Sequence, residues 1–163
     1  MWRAALFFTL CSCGAVSFGV EQDLPRQDIQ GSLLGGVLPS FLPTSSRFTI
    51  DLSAEVQKRG TGPARAAYLK TLTLVIAPNT PSASFDFLDD VHLFAEGPGL
   101  AKVEIAKLQP VPKGLTTLKF EIVPDVDLLP YINAGATLSA SASATQPRTD
   151  TSFTGKVEVE VRI

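Results

Sequence analysis

The chain has 163 residues, 45 % of them hydrophobic and 18 % charged, with a formal net charge of −2. That balance excludes a disordered chain and suits one domain with short extensions. No acidic or basic block is present, so nothing recommends nucleic acid as a partner.

The first residues read as an address. Met1-Trp2-Arg3 is a short positive start, and Ala4 to Leu10 is an apolar run too short to span a bilayer as a stable helix. Leu10-Cys11-Ser12-Cys13 then resembles a bacterial lipobox, with Leu three places before the modified Cys; Cys11 departs from the small residue more usual at its position. The resemblance implies a diacylglycerol on Cys13 and cleavage just before it. Several buried acyl chains hold a protein firmly at a membrane. Gly14 stands where an Asp would signal inner-membrane retention, so the expected location is the outer membrane of a bacterial envelope. Ordinary cleavage near Ala15 or Gly19, giving a secreted or periplasmic protein, is the alternative. The expected organisation is therefore a signal peptide over 1–12, a lipid-anchored tether over 13–27 and a β-domain over 28–163.

Cysteine is confined to positions 11 and 13. The body therefore has no disulfide, no thiolate zinc site and no Cys nucleophile. Residues 31–45 are apolar but broken by Gly and Pro, which reads as a loop capping one end of the core, with an apolar membrane-proximal or partner-binding patch as the functional alternative.

Further on, apolar and polar residues alternate with period two between turn signals. Phe48, Ile50 and Leu52 form one such set, and Leu72, Leu74 and Ile76 another. Residues 54–67 hold a short helix at most, because Gly60, Gly62 and Pro63 interrupt them. The stretch 84–95 reads as two short strands or one bulged strand. Val103 and Ile105 mark a strand, as do Leu118, Phe120 and Ile122. Val126 to Ile132 reads as a turn-like crossover ended by Pro130. Leu138, Ala140, Ala142 and Ala144 alternate with Ser139, Ser141 and Ser143. The clearest pattern comes last, where Val157, Val159, Val161 and Ile163 alternate with Lys156, Glu158, Glu160 and Arg162. One face is β-branched and the other charged, as in a half-buried antiparallel strand. The fold class expected is all-β, a single antiparallel β-sandwich of about 7–8 strands, with a small β-barrel as the alternative.

Catalytic motifs are absent from the sequence. The one histidine, His92, stands in a strand pattern without a Gly-x-Ser-x-Gly elbow, and it reads as a surface or cross-strand residue. Gly60-Thr61-Gly62 lacks the Lys and Ser/Thr of a phosphate loop. Carboxylates are the candidates for ligand chemistry. Asp86, Asp89 and Asp90 form one group and Asp125 and Asp127 another. Calcium wants six to eight oxygens on one site, so the two groups would serve only if their turns met at one end of the fold. A hydrolase working through these Asp residues and a metal rests on the same condition. Asp is also a favoured turn residue.

Gln27-Asp28-Ile29-Gln30-Gly31, Ser84-Phe85-Asp86-Phe87-Leu88-Asp89-Asp90 and Val126-Asp127-Leu128-Leu129-Pro130-Tyr131, together with the lipobox-like start, resemble small envelope lipoproteins of myxobacterial type. The resemblance implies an envelope location and a β-sandwich body, and it carries over no catalytic residue. The function expected is a non-enzymatic envelope lipoprotein, a structural or binding module held at the membrane by its anchor, with an envelope protein or glycan as partner. A carrier holding an apolar ligand between the sheets, with 31–45 as its lid, and a soluble secreted sandwich are the alternatives.

Overall fold

The computed structural model describes residues 16–33, 46–47, 52–82, 84–135 and 137–163. The leader, Cys13, most of the 31–45 loop and the Phe48–Ile50 pattern lie outside the described residues. Two antiparallel sheets pack face to face. One is ordered β1-β9-β3-β6, from β1 (Ser17–Ile29), β3 (Ala66–Ile76), β6 (Thr117–Lys119) and β9 (Thr151–Arg162). The other is ordered β2-β8-β4-β5-β7, from β2 (Ser46–Arg47), β4 (Leu88–Glu96), β5 (Val103–Leu108), β7 (Glu121–Ile122) and β8 (Thr137–Ala144). The sheets are not closed into a barrel, so the sandwich holds and the barrel alternative does not.

Alternation decides which side chains face the core. Val157, Val159 and Val161 of β9 are each fully buried, at 0 % exposure. They lie opposite Leu72, Leu69 and Ala67 of β3, which are also buried. The intervening charged residues stay on the wet face, where Glu160 pairs with Lys70 and Arg162. Phe85 packs edge-on to Phe153, with ring centroids 5.9 Å apart, and closes one end of the core. Burial of each such side chain contributes about 1.5–3 kcal/mol.

Four expectations need correction. First, residues 17–27 are not a tether: they lie in β1, which pairs with β9 along its length. Gln22 interrupts the apolar pattern on the inward face of β1, and Pro25 interrupts its backbone. The pairing accommodates Pro25 by a register shift between Leu24 and Gln27. Pro is tolerated there because the strand is at a sheet edge and bulged. The Gln22 side-chain oxygen is buried and has no hydrogen-bond donor among the described residues.

Second, Leu52 begins a helix, α1 (Leu52–Arg59), and does not end a strand. Glu55 in its first turn and Lys58 and Arg59 in its last complement the helix dipole. Gly60, at φ +62°, ends it in a conformation that glycine adopts without strain. Third, the 117–122 pattern is two strands. Its first half joins β3 and its second half joins β5, so the chain changes sheet at Phe120. Fourth, Pro130 opens a short helix, α2 (Leu129–Asn133), instead of ending a turn. Proline suits a first helical turn, where the amide it lacks would be unpaired anyway.

Gly155 has a specific packing role in the central strand β9. It lies opposite both Leu24 and Leu74, and a Cβ there would stand 2.8 Å from a methyl carbon of each. The missing side chain lets two leucines from flanking strands fold over the same spot.

Candidate binding cleft at the loop end

The sandwich has two ends of different character. At one, Ser17, Arg162 and Ala66 stand in a row across three strands. The C-terminal turn of α1 covers this corner: the Arg59 guanidinium donates to the Gly19 carbonyl at 3.4 Å and sits 4.4 Å from the Phe18 ring centroid. At the other end, residues 78–82 and 84–87 and the links 109–116 and 145–150 meet, beside the last residues of β1. The Ser32 amide there donates to the Pro147 carbonyl at 2.8 Å.

The five aspartates do not converge. The Gly114 amide donates to Asp86, and the Ile76 and Phe85 amides donate to Thr116 and Leu115, so Asp86 lies at the end of the sandwich where β3 finishes. Asp127 lies where β3 starts: its Oδ1 accepts from the Ala67 amide at 2.9 Å and from the Leu129 amide at 3.0 Å. Ala67 and Ile76 are nine residues apart along β3, roughly 30 Å at about 3.3 Å per residue. The condition for a shared cation site is therefore not met. Among the described residues, no three His, Cys, Asp or Glu side chains come together to hold a metal ion.

Each aspartate has a local setting. Asp127 joins the start of β3 to the start of α2. Asp90 Oδ1 accepts from the Ser143 amide at 3.0 Å, where the β4–β8 register shifts. Asp125 sits in a turn at φ +61°. Asp86 and Asp89 are linked through a cation that the chain supplies itself. The Lys113 ammonium donates to the Asp86 carbonyl at 2.9 Å, the Leu88 carbonyl at 2.9 Å and Asp89 Oδ1 at 2.8 Å. Three donors thus meet three oxygens of one turn. The Gly114 amide, then the Ser84 hydroxyl and the nearby Lys113 charge, hold the Asp86 carboxyl below the usual carboxylate range.

His92 also has a local role. Its Nδ1 faces the Glu104 carboxylate across the β4–β5 ladder, with both side chains about one-third exposed. That is the cross-strand position expected of it.

Among the described residues, one cavity between the sheets is small. The cavity lined by Leu24, Leu74, Phe153 and Leu138 measures about 20 Å³. A ligand site takes roughly 300 Å³ or more, so an apolar carrier gains no support from this packing. The loop end is different. A cleft of about 540 Å³ opens there, with Pro81, Ser82, Ser84 and Asp86 on one side and the 145–149 link on the other. Phe87, Pro81 and Leu33 form apolar parts of its wall, and Asp86, Thr145 and Arg148 polar parts.

Asp86 was among the candidates from sequence; Lys113, Thr145 and Arg148 were not. Arg148 had a faint signal, being the only basic residue between Lys119 and Lys156. Lys113 had none, since a lysine in a Pro/Gly-rich link gives no hint of its partners. No helix among the described residues is long and apolar enough to cross a membrane. A scan of protein-family models matches no family, and a search of the curated proteins finds no match.

Proposed function

We propose that this chain is a non-enzymatic envelope lipoprotein, anchored through Cys13, whose sandwich presents the loop-end cleft as a binding module. One observation carries the reading: β1 begins at Ser17, at the end of the sandwich opposite the cleft. Cys13 lies four residues before Ser17, within about 14 Å of it even when the chain is fully extended. A lipid on Cys13 therefore keeps the α1 end close to the bilayer. β1 has 13 residues, roughly 40 Å at about 3.3 Å each. The cleft then faces away from the membrane at about that height, where an envelope protein or glycan can reach it. The Gly14 position favours the outer membrane over the inner one.

A soluble, secreted form is the competing reading. Cleavage near Gly19 would remove Ser17 and Phe18 from β1, and with them the ring under Arg59. Cleavage near Ala15 would leave the sheet whole, so this reading stands or falls on chemistry at the N-terminus. Mass spectrometry of the protein purified from its native envelope tests it. A triacylated or diacylated peptide beginning at Cys13 is expected. An unmodified peptide beginning after Ala15 would overturn the anchor.

A further inference from the structure

We infer that the loop-end cleft takes a ligand with a carboxylate head and a small apolar body, and that Arg148 is the partner of that head. The inference rests on the binding-module reading and narrows it to a ligand class. It follows from which polar groups of the cleft are already used. The Asp86 carboxylate accepts from the Gly114 amide and from the Ser84 hydroxyl. The Ser82 hydroxyl donates to the Ser84 carbonyl at 3.1 Å, and the Gln146 side-chain amide to the Gln30 carbonyl at 3.1 Å. The Arg148 guanidinium and the Thr145 and Thr149 hydroxyls remain, all on the same link, and none has a hydrogen-bond partner among the described residues. Guanidinium is a planar fork of five donors with no acceptor, and its geometry matches a carboxylate in bidentate fashion. The hydroxyls can add donors to the same group.

Among the described residues, Asp86 is the one carboxylate in the lining, and the Lys113 ammonium lies against the backbone carbonyl of that residue, 2.9 Å away. Arg148 forms no ion pair among the described residues, although aspartates are frequent at this end. The apolar part of a ligand finds Leu33, which is 89 % exposed, and the exposed Pro81 ring. A large exposed leucine in the same cleft as an arginine without a partner among the described residues suits a molecule that is greasy at one end and anionic at the other.

The test uses sodium benzoate as probe and benzamide as its neutral counterpart. Amide resonances of the mature, isotope-labelled protein are followed during titration with each. Benzoate is expected to shift residues 84–87 and 145–149, with benzamide at least tenfold weaker, because a charge-assisted pair is roughly twice as strong as a neutral one. Arg148→Gln, an exposed loop change that leaves the core intact, should bring benzoate down to the benzamide level. Equal binding of both probes at these residues, unaffected by Arg148→Gln, would overturn the anionic preference while leaving the cleft as a binding site. Absence of shifts at these residues with either probe would overturn the cleft itself.

Discussion

Strands β8 and β9 carry the same period-two pattern and end in different situations. In β9 the inward residues are valines, and all three are wholly buried between β1 and β3. In β8 the inward residues after Leu138 are alanines, and Ala140, Ala142 and Ala144 are only half-buried. β8 has β4 along one side, and among the described residues β2 pairs with it at Thr137 and Leu138. Alternation assigns faces in both strands. Side-chain volume and neighbour coverage decide how deeply each face is buried, and hence how much it stabilises. β9 thus contributes a fully buried face of branched side chains, and β8 a half-buried face of small ones.

That contrast can be broken directly. Val159→Asp places a carboxylate with no partner at a wholly buried position and should cost more than about 4 kcal/mol, enough to abolish a cooperative unfolding transition by circular dichroism. Ala142→Asp, on the half-buried inward face of β8, should leave a folded protein with a lower denaturant midpoint. Equal losses in the two variants would show that β8 is as deeply committed to the core as β9.

A smaller effect sharpens the role of the central strand. Gly155→Ala would push a methyl against Leu24 and Leu74. Overpacking of this kind costs about 1–3 kcal/mol. Urea unfolding measures it, and an unchanged midpoint would mean that the two leucines separate without strain.

The smallest effect concerns the loop end, where stabilisation is electrostatic and solvent-exposed. The Gly114 amide and Ser84 hydroxyl hold the Asp86 carboxyl below its ordinary range. A depressed carboxyl contributes stability that is present in full above the ordinary Asp value, about pH 4, and is lost as pH falls through the folded-state value. Asp86→Asn should therefore be less stable than the parent at pH 7, with the gap narrowing below about pH 4. A gap that stayed constant down to pH 2 would mean that the ionised carboxylate adds nothing to the turn.

Much of the sandwich could be read directly from residues. The β9 valines, the 71–76 alternation and the Ala/Ser strand were all legible, because a half-buried strand needs a wet face and a dry one and writes that need as period two. β1 was not legible, because Gln22 and Pro25 interrupt the pattern in a strand that only its pairing with β9 makes plain. The sheet change at Phe120 was hidden for another reason: Leu118, Phe120 and Ile122 all point to the core on either side of the corner, so alternation runs through it unbroken. Among the candidate site residues, the sequence suggested that Asp86 and Asp127 could cooperate, and chain order cannot say which turns share an end.

Residue type by itself determined that this chain would build half-buried strands and would lack a cysteine-based or multi-histidine site in its body, since both follow from which side chains are present and how they alternate. Tertiary structure alone decided that the two aspartate groups stand at opposite ends, that Lys113 gathers the oxygens of the 86–89 turn, and that Arg148 lines a cleft without a partner among the described residues. Those outcomes depend on contacts between segments far apart in sequence, which local periodicity does not encode.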